Sequence, residues 1–267
     1  MKVLIIGAGN MGTTYAQSFI TGSVVRPEDM FFLEKGTGKA AELRLLSSNP
    51  LQTVPGEFVR EMDLIILSVK PQDFAELSQT LTPYLRKDQL ILSIMAGITV
   101  KTIFARMGVD KIVRAMPNLP AQVGQGMTVF TTSKKVSKVE IFAIQNLLNT
   151  TGKTLYTPQE PMLDAATAIS GSGPAFVYYF MNAMMDGARE MGFSGSEAQL
   201  LVSQTFLGAI NLLNRNSLNC QEWIDKVSSK GGTTEATIRY FQGVDLNKLI
   251  INGLEEARKR ANALSNP

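Results

Sequence analysis

Residues 2–12 of the chain read Lys-Val-Leu-Ile-Ile-Gly-Ala-Gly-Asn-Met-Gly, and this stretch decides the fold. The run 2–6, apolar after Lys2, is typical of a buried strand, and residues 13–20 have the apolar spacing of an amphipathic helix. Between them, Gly7 permits a tight turn, Gly9 lets the backbone approach a bound group, and Gly12 allows the helix to pack closely on the strand. The stretch therefore predicts a strand, a tight turn, and a helix whose N-terminus binds phosphate.

The order of apolar and helical segments places this turn at the start of an α/β domain. From residue 2 to about residue 156, short apolar runs alternate with segments of helical periodicity, which predicts β–α–β units and a parallel sheet. The predicted strands are residues 2–6, 30–34, 63–69, 90–94, 111–115 and 127–132. From about Glu160 the strand signals cease, and apolar residues recur at three- and four-residue spacing. Because Pro158 and Pro161 precede this change, we expect a Rossmann-like doubly wound α/β domain over residues 1–157 and an all-α domain over residues 158–267.

The glycine spacing in this setting predicts that residues 7, 9, 10, 11 and 12 bind a dinucleotide, with Asn10 and Met11 opening the helix. Glu34 follows Gly12 by 22 positions, close to the spacing of about 20 at which an acidic residue contacts the ribose 2′-hydroxyl of NADH. Lys35 is next and is suited instead to the 2′-phosphate of NADPH. A solvated charge at the end of a strand is the alternative interpretation of Glu34. NADPH and NADH both stay open as the cofactor.

Three further loops follow predicted strands and are expected to complete the cofactor site. Ligands of open α/β sheets bind outside the carboxyl ends of the strands, so these loops should line one crevice. The loop residues expected at the cofactor are Ser68, Val69, Lys70, Pro71, Ala96, Gly97, Met116, Pro117 and Asn118. Each loop, taken alone, is also explained as an ordinary connection between a strand and a helix, with no role in binding.

The composition argues against several kinds of site and partner. The 267 residues include no histidine and one cysteine, Cys220, so the commonest proton shuttle and metal ligand are missing and we expect no metal. The net charge of +3 is spread along the chain, so we expect neither a nucleic-acid nor a membrane partner. The chain opens with the strand itself, and its apolar runs are shorter than the roughly 20 residues that span a bilayer, which predicts a cytoplasmic protein. Charged residues make up only 18%, which favours burial of surface in a homo-oligomer.

Five segments resemble pyrroline-5-carboxylate reductases, in that family's order. They are Ile-Gly-Ala-Gly-Asn-Met-Gly at 6–12, Val-Lys-Pro at 69–71, Met-Pro-Asn at 116–118, Ala-Ile-Ser-Gly-Ser-Gly-Pro-Ala at 168–175 and Gly-Gly-Thr-Thr at 231–234. The resemblance implies reduction of Δ1-pyrroline-5-carboxylate, a cyclic imine, to L-proline by hydride transfer from NADPH or NADH, the last step of proline biosynthesis. It also implies that the helical half is a dimerisation domain, with a homodimer or a higher multiple of dimers and active sites at the subunit interface.

The resemblance also assigns roles in the helical half. Thr234 occupies the family's hydroxyl position near the ring nitrogen and is the implied catalytic residue. The implied substrate-binding residues are Val227, Gly231, Gly232, Thr233 and Thr234, together with Ser172, Gly173 and Pro174. The residues themselves predict Thr233 or Thr234 as the N-cap of a helix from 236, and a Gly-Pro kink in a helix at 170–175. A cyclic imine carbon is already electrophilic, so a site without histidine suffices for this chemistry.

Two departures from the family pattern keep alternatives open. Lys230 stands where the family commonly has proline, and Leu119 stands where it often has threonine. A reductase of another cyclic imine is therefore one alternative, and a non-catalytic dinucleotide-binding regulatory protein is another. A β-hydroxyacid dehydrogenase is disfavoured, because that family carries a lysine on the first helix of its second domain and residues 163–186 contain none.

Overall fold

The computed structural model describes residues 1–36 and 38–265, and its N-terminal part contains a seven-stranded sheet. The strands are β1 Val3–Ile6, β2 Met30–Leu33, β3 Leu64–Leu67, β4 Leu90–Ser93, β5 Lys111–Met116, β6 Gly126–Thr132 and β7 Gly152–Tyr156. Their order in the sheet is β2-β1-β3-β4-β5-β6-β7. The strand order reverses at β1, which is the point where an open α/β sheet forms a ligand crevice.

Helices alternate with these strands and then continue alone. In the N-terminal half they are α1 Asn10–Thr21, α2 Ala40–Leu43, α3 Phe74–Leu81, α4 Val100–Met107 and α5 Lys138–Asn149. In the C-terminal half they are α6 Met162–Ala166, α7 Gly173–Glu190, α8 Gly195–Arg215, α9 Cys220–Val227, α10 Thr233–Gly243 and α11 Leu246–Ser265. Short 3-10 turns occur at Pro27–Asp29, Glu57–Glu61, Pro71–Asp73, Thr82–Tyr84 and Leu119–Val123.

The central strands are buried on both faces. Successive side chains of a strand point to opposite sides, so Val3 and Ile5 pack in one core with α1 and α5. Leu4 and Ile6 pack in the other core with α3 and α4. This explains why β1 is apolar throughout instead of alternating with polar residues. The predicted class, a doubly wound α/β sheet followed by a helical region, is confirmed.

The side of the sheet formed by β6 and β7 departs from the predicted parallel arrangement. β6 pairs antiparallel with β5, and β7 pairs parallel with β6. The connection from Pro117 to Gln125 holds only a 3-10 turn, and a parallel pair needs a crossover of about a dozen residues or more. β7 was not among the predicted strands, because this edge strand is largely exposed and carries no apolar run.

The chain divides into two compact units. The first comprises Met1–Ser172 together with the described residues from Ala257 onward, and the second comprises Gly173–Glu256. The last turns of α11 therefore belong to the first unit, in which Ala261 and Ser265 are buried. The predicted domain boundary after residue 157 stays a prediction. The last two residues of the predicted second domain, 266 and 267, lie outside the described residues.

A buried arginine links distant segments of the first unit. The Arg114 guanidinium lies 3.0 Å from the Glu160 carboxylate and 3.1 Å from that of Asp164. The Ser265 hydroxyl donates to Asp164 at 2.8 Å, and Glu160 also accepts the backbone N–H of Val100 at 2.8 Å. Because a buried charge is costly without such partners, this network fixes β5 against the start of the helical half and the last turn of α11.

The second unit buries few side chains within a single chain. The buried residues of α7 to α10 are Ala198 and Val202, both on α8. Large apolar side chains are exposed instead, among them Tyr179 at 76%, Leu200 at 67% and Ile251 at 63%. A contiguous exposed apolar surface usually marks an interaction site. Across the described residues, no helix combines the length and the apolar character needed to cross a membrane.

Candidate functional site

The turn between β1 and α1 accepts only glycine at two of its three motif positions. Gly7 has a φ of +91°, and a Cβ there would lie 2.7 Å from the Ser68 carbonyl oxygen. A Cβ on Gly12 would overlap the Gly7 carbonyl oxygen. Gly9 differs, because no atom beyond its own residue and its two chain neighbours lies within 4 Å of the position its Cβ would take. The turn is therefore closed on the side of the protein and open in front of Gly9 and the N-terminus of α1, where phosphates can approach the backbone.

A cavity of about 300 Å³ opens beside this turn, and it contains several of the predicted cofactor residues. Those that line it are Gly7, Gly9, Glu34, Lys35, Ser68, Val69 and Lys70. Asn10 and Met11 form the first turn of α1, and Pro71 opens the 3-10 turn before α3. The cavity also has lining residues that the sequence did not suggest, which are Ile6, Leu33, Thr53, Pro55, Asp73, Glu76, Leu77 and Thr80. Asp73 closely follows the predicted loop after β3, whereas Glu76 reaches the cavity from α3, a placement that no local sequence pattern signals.

The Glu34 carboxylate lies against the glycine turn. Its Oε2 accepts the backbone N–H of Ala8 at 2.6 Å, and its Oε1 lies 3.4 Å from the Gly36 nitrogen. The Lys39 ammonium donates to the Ala8 carbonyl at 2.8 Å. Glu34 is thus held at the carboxyl end of β2, beside the turn, where Rossmann-like domains place the acidic residue that binds the ribose hydroxyls.

The loops after β4 and β5 do not line this cavity. Gly97 has a φ of +75°, and a Cβ there would lie 2.7 Å from the Leu264 carbonyl oxygen, so the end of α11 packs on this loop. The Asn118 amide donates to the Ser170 carbonyl at 2.9 Å and accepts the Met127 N–H at 2.8 Å. Of the three loops, the one after β3 therefore lines the cavity, and the expectation that all three line one cofactor crevice stays a prediction. A cofactor role stays a prediction for Ala96, Gly97, Met116, Pro117 and Asn118.

A π-helical segment, Thr167–Gly171, precedes the substrate residues predicted at 172–174. In place of the predicted Gly-Pro kink, the helix ends after this segment and α7 begins at Gly173. Pro174 lies in the first turn of α7, where its missing N–H would have no partner in the helix anyway. A Cβ on Gly171 would lie 2.8 Å from the terminal methyl of Met116. Such π-helical turns are frequent at functional sites.

The N-terminus of α10, in the second unit, corrects a prediction. Gly232 is the N-cap, with extended backbone angles, so the prediction of Thr233 or Thr234 as N-cap was wrong. The Glu235 carboxylate instead accepts the N–H of Gly231, the residue before the N-cap, at 2.6 Å, so no side chain caps the first N–H groups of α10. A glycine N-cap carries no side-chain signal in the sequence, and two threonines in succession suggested one.

The predicted residues around this helix N-terminus lie close together in the chain and near the surface. Thr233 and Thr234 are the first two residues of α10, and Val227, the last residue of α9, is 60% exposed. Because neither threonine caps the helix, both hydroxyls remain available for other partners. The first backbone N–H groups of a helix are also free to bind an anion.

A doubly wound sheet, a glycine-restricted turn at the strand-order reversal and an acidic residue at the end of β2 together define a dinucleotide-binding protein of the Rossmann-like class. The described residues contain no group of three acidic, histidine or cysteine side chains placed to hold a metal ion.

Comparison with known proteins gives the family. Residues 160–264 match a family model described as pyrroline-5-carboxylate reductase dimerisation, and residues 2–97 match one described as NADP oxidoreductase, coenzyme F420-dependent. The chain is 34% identical to pyrroline-5-carboxylate reductase 2 of Bacillus subtilis, over 97% of this chain and 94% of that protein. This chain belongs to the pyrroline-5-carboxylate reductase family, so the resemblance found in the sequence is confirmed.

Two solved structures extend the likeness to the whole fold. The pyrroline-5-carboxylate reductase of Coxiella burnetii superposes with a TM-score of 0.91 at 27% identity, covering 100% of this chain and 99% of that one. The pyrroline carboxylate reductase of Plasmodium falciparum, solved with NADP bound, gives a TM-score of 0.87 at 26% identity, with 100% and 98% coverage.

Proposed function

We propose that this protein reduces Δ1-pyrroline-5-carboxylate to L-proline with NADPH or NADH as the reductant, the last step of proline biosynthesis. The observation that carries the proposal is family membership along nearly the whole chain, combined with a first turn that has room for phosphates in front of Gly9. A sensor that only bound the dinucleotide would need the glycine turn but would have no use for the Gly-Gly-Thr-Thr and Ser-Gly-Ser-Gly-Pro segments, which this chain retains.

The residues of the cavity fit a dinucleotide. The backbone at Gly9 and the N-terminus of α1 would hold the pyrophosphate, Glu34 would hold the adenosine ribose, and Ser68 to Lys70 would border the same groove. The cofactor, when bound, would supply a hydride to the imine carbon, and the ring nitrogen would gain one proton relative to the neutral imine. The loops after β4 and β5 would continue this groove toward the reacting ring.

The chain's own contribution to the chemistry is positioning. The N–H groups and hydroxyls at the start of α10, from Gly231 to Thr234, would bind the substrate carboxylate, with Val227 and residues 172–174 bounding the ring. The Thr234 hydroxyl would orient the ring nitrogen or relay its proton. Holding two reactants in a reactive geometry contributes much of the rate in such reactions, so the absence of histidine is no obstacle.

We also infer that the protein acts as a homodimer or a multiple of dimers. α7 and α10 have no buried residue in a single chain, and a groove of about 180 Å³ in the second unit is lined by Phe176, Tyr179, Phe180, Ile250, Gly253 and Leu254. A helical unit with so little interior gains its stability by burying such a surface against a second copy. The description of the matching C-terminal family model as a dimerisation region supports this inference. Cytoplasmic location and the lack of nucleic-acid and membrane partners stay predictions.

The test is a spectrophotometric assay of nicotinamide oxidation with both cofactors and with two cyclic imines. We expect oxidation with pyrroline-5-carboxylate and formation of proline. Faster turnover of a cyclic imine that carries its carboxylate on the C=N carbon would favour the alternative reductase. Binding of either cofactor without oxidation in the presence of either imine would favour the regulatory alternative and overturn the proposal.

A further inference from the structure

We propose that Glu34 and the ion pair between Lys35 and Glu76 make this site select NADH over NADPH. The inference deepens the proposed function and rests on one part of it, namely that a nicotinamide dinucleotide binds at the glycine turn. The two cofactors differ only at the adenosine ribose, where NADH carries a 2′-hydroxyl and NADPH a 2′-phosphate of about −2 charge.

Glu34 presents a fixed carboxylate at this position. Its Oε2 is bonded to the Ala8 N–H at 2.6 Å, and this bond holds the carboxylate beside the turn. A carboxylate accepts hydrogen bonds and donates none when ionised, so it can bind a ribose hydroxyl. The Glu34 carboxylate would repel a phosphate, because both groups are anionic and neither donates a hydrogen bond.

Lys35 is the cation best placed to offset that repulsion, and it is already paired. Its ammonium lies 2.9 Å from a carboxylate oxygen of Glu76 on α3, and both residues line the cavity. The bond to Glu76 raises the pKa of Lys35, in keeping with a cation that is stabilised where it lies. To serve a 2′-phosphate, Lys35 would have to exchange Glu76 for the phosphate, with the Glu76 carboxylate remaining close by.

The other charges around the cavity do not reverse this balance. Lys39 is directed to the Ala8 carbonyl at 2.8 Å. Lys70 lines the cavity from the end of β3, which lies on the opposite side of β1 from β2. Asp73 adds a third carboxylate to those of Glu34 and Glu76. The ribose end of the cavity is therefore acidic and suits a hydroxyl.

Glu34 and the ion pair between Lys35 and Glu76 should contribute unequally to the selectivity for NADH. Glu34 is partly buried and bonded to backbone, whereas the side chains of Lys35 and Glu76 are 71% and 68% exposed. Exposed ion pairs contribute little and are screened by salt. Glu34 should therefore account for most of the selectivity, and the pair with Glu76 for a smaller share.

The experiment measures equilibrium binding of NADH and NADPH to the purified full chain by nicotinamide fluorescence, without any imine present. We expect the wild type to bind NADH at least about tenfold more tightly than NADPH, a factor that one hydrogen bond to a charged group can supply. Glu34→Gln should weaken NADH binding and bring the ratio of the two Kd values close to one. Glu76→Gln releases Lys35 and should shift the ratio toward NADPH by a few-fold. Glu61→Gln is the matched control, because Glu61 forms a similar exposed pair with Lys2 at 2.6 Å and does not line the cavity.

The outcomes separate this inference from the proposed function. Equal or tighter binding of NADPH by the wild type would overturn the inference, as would a Glu34→Gln ratio identical to that of the wild type. If Glu76→Gln had the same ratio of Kd values for NADH and NADPH as Glu61→Gln, Glu76 would have no part in the selectivity. Selective NADH binding by a protein that reduces neither imine would support the inference while the proposed function fails. If neither cofactor bound, both the inferred selectivity and the proposed function would be wrong.

Discussion

Gly9 and Gly12 belong to the same turn but are glycine for different reasons. At Gly12 a Cβ would meet backbone, which cannot move aside as a flexible side chain can. We expect Gly12→Ala to lower the free energy of unfolding by about 1–3 kcal/mol, as overpacked sites do, and to abolish cofactor binding because the turn shifts. Urea unfolding and a cofactor titration measure the two effects.

Gly9→Ala is the matched counterpart, since its new methyl group would meet no atom within 4 Å beyond its own chain neighbours. We expect stability close to that of the wild type. Cofactor binding should nevertheless weaken by on the order of tenfold, because the methyl takes the space in which phosphates approach the backbone. If Gly9→Ala bound cofactor as the wild type does, the phosphates would have to lie elsewhere.

Thr234 offers a second contrast, with Thr237 one turn further along α10. We expect Thr234→Ala to lower kcat with little change in cofactor Kd, because the hydroxyl acts on the imine and not on the dinucleotide. Thr237 instead donates its hydroxyl to the Thr233 carbonyl at 3.0 Å, so Thr237→Ala serves as the control and should retain the wild-type kcat/KM. Equal losses in the two variants would mean that Thr234 matters only for the helix.

Single residues were predictable where their role depends on near neighbours in the chain. The spacing of Gly7, Gly9 and Gly12 specified their roles, because turn geometry is local. The partner of Lys35 was not predictable, since Glu76 lies 41 positions away and meets it only through the packing of α3. Arg114 gave no signal at all, because a charged residue within an apolar strand is explained only by partners from elsewhere in the fold.

Removal of Arg114 should show how strongly its network holds β5 to the segments around it. Arg114→Met would leave Asp164 and Glu160 without their cation, and Asp164 is buried. Breaking a buried pair by removing one partner typically costs about 3–5 kcal/mol, and we expect a loss of this order in urea unfolding. Arg26→Met removes a 70% exposed arginine paired with Asp29 and should change little. Comparable losses in the two variants would argue that the Arg114 network contributes no special stability.

The link between α5 and β5 should be sensitive to acid. Burial raises the pKa of Glu140, but the hydrogen bonds from Lys111 and Ser137 outweigh it and hold that pKa at about 2, below the ordinary 4.5. A depressed carboxyl pKa means that this stabilisation is complete above about pH 4.5 and disappears as the pH falls toward 2. Because Glu140 is 27% exposed, we expect a contribution of only about 1 kcal/mol.

Glu140→Gln keeps a side chain suited to the capping box with Ser137 but cannot ionise. We expect it to be less stable than the wild type at pH 7 and nearly equal to it near pH 2, as measured by urea unfolding across the range. A stability difference that stays constant from pH 7 to pH 2 would contradict the role of the Glu140 charge.

Whole elements were predicted well where burial is symmetric. β1 to β5 are largely buried and, apart from residues such as Arg114 in β5, apolar on both faces, and their apolar runs predicted them. The direction of β6 was missed because it depends on the length of a connection and not on the composition of the strand. β7 was missed because an exposed edge strand has no apolar signature, and the start of α10 was misplaced because its N-cap is a glycine.

The exposed apolar surface of the second unit predicts that one substitution can separate the subunits. Tyr179 on α7 is 76% exposed in the single chain and borders the apolar groove. We expect Tyr179→Glu to lower the mass measured by light scattering, because a charge would be buried without a partner at the proposed interface. Val139→Glu is the control, since Val139 is 78% exposed on α5 of the first unit. An unchanged mass for Tyr179→Glu would place the interface elsewhere.

The return of α11 to the first unit has a consequence for how the chain matures. Arg114 and Ser265 are 151 positions apart, yet both belong to the first unit, whose segment Met1–Ser172 is synthesised well before its α11 segment. While the helical half is still being synthesised, the loop at Gly97 lacks its cover and the cluster around Arg114 lacks its last hydroxyl. These contacts come from Leu264 and Ser265, which are synthesised last, so the dinucleotide domain should complete its packing only after the final turn of α11 has emerged. A nascent chain stalled before that turn should consequently be more sensitive to protease in this domain than the released protein.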